Sequence, residues 1–172
     1  MYKQKSILMD GAAMDRTLMR ISHEIIERCE GECILLGIHR RGLPLAEQLA
    51  ANIERVSGTK VPVAALDVTA FRDDVPDRSQ AAAANPGLPV AGKTVILVDD
   101  VIYTGRTVRA AIEALFRHGR PASVQLAVLV DRGHRELPFR PDYVGKNVPT
   151  AREEIVDVHL TAIDGDTGVY LL

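Results

Sequence analysis

The sequence predicts an α/β fold in which a mostly parallel central sheet is flanked by helices. Three observations carry that expectation. Short apolar runs alternate with helical periodicities, a run such as 94–98 is continuously apolar, and 172 residues of 47% hydrophobic content suffice for one domain of this class. In such sheets ligands gather at the carboxyl ends of the strands, so the loops that follow the apolar runs are where chemistry is expected.

Taken in order, Met14, Leu18, Ile21 and Ile25 recur at spacings of four, three and four, one face of a helix over 14–28 that Asp10 can cap. Residues 33–38 form an apolar strand that stops at His39, Arg40, Arg41 and Gly42, and 44–53 reads as the next helix. A second strand spans 61–66. Residues 67–91, with charges, an alanine run, Pro76, Pro86, Pro89 and Gly87, read as a long flexible loop. The strand at 94–98 is followed by a turn over 99–106 and a helix over 107–118 with Val108, Ala111, Ile112 and Leu115 inward. Residues 124–130 are another buried strand. Beyond 131, short strand-like runs at 155–160 and 169–172 show no clear helix. Residues 131–160, with the N-terminal residues, are expected to form a small cap, or hood, over the sheet edge, within a single domain spanning 1–172. The functional loops should open at His39, Asp99 and Asp131.

Several functions are excluded. The 21 basic and 23 acidic residues leave a formal charge of −2, so any nucleic-acid contact must be a local patch. Aromatics are 4% and tryptophan is absent, which argues against a surface of stacked aromatic platforms. No stretch approaches the ~20 apolar residues of a membrane span, and the start lacks a secretory signal pattern, so a cytoplasmic location without membrane contact is expected. Two cysteines, Cys29 and Cys33, cannot fill a structural zinc site unaided. Residues 87–94 satisfy the pattern of a nucleotide-binding P-loop, but that loop needs a strand before it and a helix after it. Here the expected strand follows instead, and the match is rejected.

The run from Val95 to Thr107 joins a buried strand, the paired carboxylates Asp99 and Asp100, then Val101, Ile102 and Tyr103, and a small turn of Thr104, Gly105, Arg106 and Thr107 that opens a helix. Two carboxylates at a strand end can accept hydrogen bonds from the vicinal hydroxyls of a ribose. Backbone N–H groups, two hydroxyls and a helix N-terminus suit a phosphate monoester, and Gly105 lets the backbone approach closely. Together they specify a ribose 5-phosphate group.

This run resembles the phosphoribosyl pyrophosphate (PRPP) signature of the type I phosphoribosyltransferases, which implies their fold. Tyr103, where purine-specific members often carry an acid, argues against a purine substrate. Three further segments resemble one family, the pyrimidine-operon regulators with uracil phosphoribosyltransferase activity (PyrR). They are Arg20 to Glu24, residues 71–74 with Asp67, and residues 129–138 (LVDRGHRELP) continuing into 142–149 (DYVGKNVP).

The resemblance implies that uracil attacks PRPP to give UMP and pyrophosphate. Mg2+ would be carried by PRPP oxygens rather than by a dedicated set of protein ligands. Arg40, Arg41 and Gly42 would meet pyrophosphate, Arg72 and Asp73 would close a loop over the substrate, and Arg132 with Val156 would lie on the uracil side. No residue is identified as a base. Arg16, Arg20 and His23 fall on one helical face, and with Lys146 and Arg152 they form a candidate surface for the leader RNA of pyrimidine genes, with UMP or UTP favouring binding. A homodimer or homotetramer is implied. Alternatives are a nucleotide-sensing RNA regulator with little catalysis, or a transferase for orotate or a purine.

Overall fold

Alternate residues of the central strands enter two separate cores. Leu35, Ile96 and Val98 pack with residues of two N-terminal helices, whereas Ile34, Leu36, Ile38, Val95 and Leu97 pack with those of a third helix on the other face. That two-sided burial explains why these strands read as unbroken apolar runs. The computed structural model describes residues 6–38, 40–74 and 86–172.

The order is β1 (Ser6–Asp10), α1 (Gly11–Arg28), β2 (Cys33–Ile38), α2 (Gly42–Ser57), β3 (Val63–Leu66), β4 (Thr94–Ile102), α3 (Arg106–Phe116), β5 (Ser123–Asp131), β6 (Tyr143–Asn147), β7 (Val156–His159), α4 (Thr161–Asp164) and β8 (Gly168–Leu171). Five strands form a wholly parallel sheet in the order β3-β2-β4-β5-β6, and β1-β8-β7 form a second, antiparallel sheet. α1 and α2 cover one face of the large sheet and α3 the other. Met9, Val156, Val158, Leu160 and Val169 of the small sheet and its margin join the α1/α2 core, which holds the two sheets together.

Local chemistry sets the boundaries. Asp10 caps α1 by accepting the Ala13 N–H at 2.7 Å, as its position suggests. α2 is longer than the periodicity indicates, running to Ser57 and ending on Gly58 at φ +74°, whose N–H bonds the Glu54 carbonyl at 2.8 Å.

Other expectations are corrected. The strand expected at 94–98 continues through the acidic pair to Ile102, because Val101 and Ile102 pair with Val130 and Asp131 of β5. The turn is thus Tyr103 to Gly105. Residues 143–147, read as part of the cap, are the edge strand of the large sheet. Only Tyr143 and its neighbours carry the apolar signal, with Gly145 in mid-strand. β1 and the one-turn α4 have no sequence signature of their own. Residues 87–94 lead into β4 and not into a helix, so the P-loop reading fails as expected.

Candidate active site

The large sheet reverses direction of chain progression beside β2, with β3 on one side and β4 on the other. A crevice beyond the carboxyl ends at such a point is where open α/β sheets bind ligands. Three loops meet there, after β2, β4 and β5.

The β4 loop forms the floor of a cavity of about 290 Å3. Asp99 lines it, as do Val101, Ile102, Tyr103, Thr104, Gly105, Arg106 and Thr107, with Arg72 and Asp73 from the 67–74 segment. Asp100 adjoins the cavity without being part of its wall. At the acidic pair the strand alternation slips. Val98 and Val101 both pack towards the α1/α2 core, while the N–H groups of Asp100 and Val101 bond the carboxylates of Asp99 (2.9 Å) and Asp100 (2.8 Å). Asp99 is buried, and that burial, followed by the adjacent Asp100 charge, pushes its carboxyl well above the usual carboxylate range. One wall of the cavity therefore holds a carboxyl group whose ionised form is disfavoured.

Gly105 makes the turn possible. Its φ is +90°, and a Cβ there would stand 3.2 Å from Phe139 Cδ2. The Thr104 carbonyl accepts from Glu136 N–H (2.9 Å) and Leu137 N–H (3.0 Å), which fixes the loop against the chain after β5. No side chain at the N-cap position caps α3, so its first-turn N–H groups face the cavity with only a long 3.4 Å contact from Arg106 N–H to Thr104 Oγ1.

Arg106 ties two segments to this loop. It donates to Asp73 Oδ2 at 2.6 Å and to Glu136 Oε2 at 2.8 Å, and holds the Asp73 carboxyl below its ordinary range. Arg72 is paired with Asp74 at 2.9 and 2.7 Å. The root of the 67–74 segment is anchored more deeply. Phe71 is buried, its carbonyl accepts from Arg109 Nη2 at 2.5 Å, and Arg117 lies over its ring at 5.8 Å. Arg109 escaped the sequence reading, since on α3 it looks like any exposed helical arginine.

After β2, Arg40 is exposed and Arg41 is half-buried. Arg41 Nη2 donates to Asp164 Oδ1 of α4 at 2.8 Å, and its Nε is buried without a hydrogen-bond partner. Asp164 also gave no signal in the sequence. Gly42 is buried against β4, where a Cβ would come 2.3 Å from the Val98 carbonyl oxygen; its absence lets α2 start directly beside the β4 end.

After β5, Arg132 is 6% exposed and stacks over Tyr103, guanidinium carbon to ring centre 4.0 Å. Its Nη2 donates to the Ala151 carbonyl at 3.1 Å and its Nε is buried without a partner. Val156 differs from expectation. Its side chain is buried in the core shared by the two sheets, because β7 turns that face inward.

The proposed RNA surface is partly assembled. Arg16, Arg20 and His23 are exposed on α1, which packs beside β6 and so beside Lys146. Arg20 also donates to the carbonyls of Val144 (3.0 Å) and Gly145 (2.7 Å), and Lys146 to that of Leu8 (2.9 Å), so both hold structure as well as charge. Arg152 is exposed in the segment between β6 and β7.

No described helix is long and apolar enough to cross a membrane. The phosphoribosyl transferase domain family matches residues 4–162. "Bifunctional protein PyrR" of Brevibacillus brevis is 59% identical, covering 93% of this chain and 92% of its own length. The protein of the same name from Pelotomaculum thermopropionicum is 53% identical over 100% and 98%. Among solved structures, a hypoxanthine phosphoribosyltransferase from Trypanosoma cruzi superposes with a TM-score of 0.77 at 18% identity, covering 98% of this chain and 95% of that one; one from Staphylococcus aureus gives 0.73 at 19%, covering 98% and 91%. The distant structures share the type I phosphoribosyltransferase fold, and the close relatives narrow it: the chain belongs to the bifunctional PyrR family of phosphoribosyl transferase domain proteins.

Proposed function

We propose that the protein transfers the phosphoribosyl group of PRPP to uracil, forming UMP and pyrophosphate, and that uridine nucleotides in the same site control its binding to the leader RNA of pyrimidine genes. The observation that carries the reading is the cavity itself, where the uncapped N-terminus of α3, the Gly105 turn and the buried Asp99 lie side by side.

The 5-phosphate sits on the N–H groups of the Thr104 to Thr107 turn, and the ribose hydroxyls donate to Asp99, with Asp100 adjoining. These donors favour the ionised form of Asp99 that burial disfavours. Pyrophosphate faces Arg41 and Arg40, and the unpartnered Arg41 Nε is a donor suited to a phosphoryl oxygen. Uracil lies beside Tyr103 and Arg132, whose own unpartnered Nε suits a base carbonyl. Uracil N1 forms the new bond to the anomeric carbon as the bond to pyrophosphate breaks. No general base is needed if uracil enters as its N1 anion.

A divalent ion would be brought by substrate oxygens, with Asp99 the protein carboxylate offered to it. Mg2+ held there would supply charge neutralisation for the departing pyrophosphate. Arg72 and Asp73 exclude water from the activated sugar when their segment closes. The single domain, a cytoplasmic location and assembly as a dimer or tetramer belong to the same reading.

UMP formation from PRPP, Mg2+ and labelled uracil tests it, with orotate, hypoxanthine and guanine in parallel. Uracil-selective turnover is expected. Turnover with another base, or nucleotide binding without turnover, would replace the transferase assignment by one of the alternatives.

A further inference from the structure

The chain's two cysteines lie away from this site, at the amino-terminal end of the parallel sheet. Cys29 ends α1, its N–H bonded to the Ile25 carbonyl at 2.8 Å, and Cys33 opens β2. Between them Gly31, at φ +91°, reverses the chain and brings the two Cα atoms to 6.5 Å, within the span a disulfide bridges. The structure sets the two sulfurs against each other. Both residues are half-buried and line a cavity of about 490 Å3 that Lys60 and Lys93 also face, Lys93 being paired with Glu32. Small reagents therefore have a route to the thiols. A metal does not account for the pair, since no described group supplies a third ligand.

We propose that Cys29 and Cys33 are a redox pair, converted reversibly between dithiol and disulfide by a low-molecular-weight disulfide. One cysteine thiolate attacks a sulfur of the oxidant, forming a mixed disulfide and releasing one thiol. The second cysteine thiolate then attacks the protein sulfur of that mixed disulfide, forming the Cys29–Cys33 bond and releasing the second thiol. Two electrons and two protons pass to the oxidant, which leaves as two thiols. The second step is fast because the partner sulfur is already in place. Oxidised glutathione is small enough to serve as that oxidant. In reducing compartments, pairs of this kind act as redox sensors. Here the oxidised bond ties the end of α1, the helix with the exposed basic face, to the first residue of β2. The proposal stands apart from the transferase reading, because neither thiol touches the phosphoribosyl cavity.

The full-length protein, reduced and freed of reductant, is incubated with oxidised glutathione, denatured, alkylated with N-ethylmaleimide and weighed intact. The expected product carries no alkyl group and no glutathione, and takes two alkyl groups after renewed reduction. Cys33→Ser is expected to retain one glutathione on Cys29. Two alkylatable thiols after oxidation, or a stable glutathione adduct on the unaltered protein, would overturn the proposal, as would zinc bound stoichiometrically to the purified chain.

Discussion

Arg41 Nη2 donates to Asp164 Oδ1 at 2.8 Å, so the loop after β2 in the large sheet is tied to the short helix of the small one. Asp164 Oδ2 accepts the Leu160 N–H at 2.9 Å, and this bond, ahead of the Arg41 guanidinium, holds the carboxyl below its ordinary range. With a depressed pKa the bridge is intact above the ordinary carboxylate pKa and is lost only as pH falls through the lower folded value. Asp164 thus orients Arg41 across the whole neutral range.

Asp164→Asn should keep the fold and the Leu160 bond while releasing Arg41. The KM for PRPP is expected to rise by about fivefold, the scale of ~1 kcal/mol for a partly exposed pair, with little change in the KM for uracil. Steady-state kinetics with each substrate varied will show the split; equal loss for both substrates would place Asp164 elsewhere in the mechanism.

Asp99→Asn should stabilise the unliganded protein and impair it as an enzyme. Because the folded pKa of Asp99 is raised, ionisation costs stability as pH climbs from the unfolded value through the folded one, and the penalty is complete above that. The gain, about 1 kcal/mol at neutral pH, should shrink towards pH 4. Thermal melts across pH measure it, and a gain that does not depend on pH would contradict the assigned cause.

Gly105→Ala forces a side chain into a left-handed backbone and against Phe139. A loss of about 1–2 kcal/mol is expected, with loss of PRPP affinity beyond what the stability change explains. Calorimetric titration of PRPP at a temperature where the variant is fully folded separates the two effects.

Arg109→Ala cuts the Phe71 carbonyl free and should loosen the segment bearing Arg72 and Asp73. Water then reaches the activated sugar, so pyrophosphate release should exceed UMP formation instead of matching it. A ratio that stays at unity would show that the segment seals without its anchor.

Arg16→Ala with His23→Ala should weaken leader RNA binding and lower the salt slope by about one to two, leaving the melting temperature unchanged. Arg20→Ala should alter both, since Arg20 also secures α1 to the Val144 and Gly145 carbonyls. Filter binding at several salt concentrations beside a melt tests the contrast.

Much of this was legible in the sequence where the signal is local. β2 needed only its apolar run, and the cavity floor only the order of residues from Asp99 to Thr107. The acidic pair hid the end of β4, because two acids after an apolar run look like a turn until β5 supplies their partners. β1 and β6 gave little pattern, each burying one side chain fully and owing its form to distant partners. Arg109 and Asp164 have roles that exist only across the fold, at Phe71 and Arg41. The facing of Val156 was not legible either, because which side of β7 turns inward is set by the core it fills.

The small sheet pairs β1 with β8, Ser6 opposite Leu171. β6, the last strand of the large sheet, ends at Asn147, and β8 follows only at Gly168, so β1 finds its partner when nearly the whole chain has been made. Asp164 likewise reaches Arg41 only at that late point. The antiparallel sheet and the bridge from Arg41 to Asp164 therefore both depend on the last-made part of the chain.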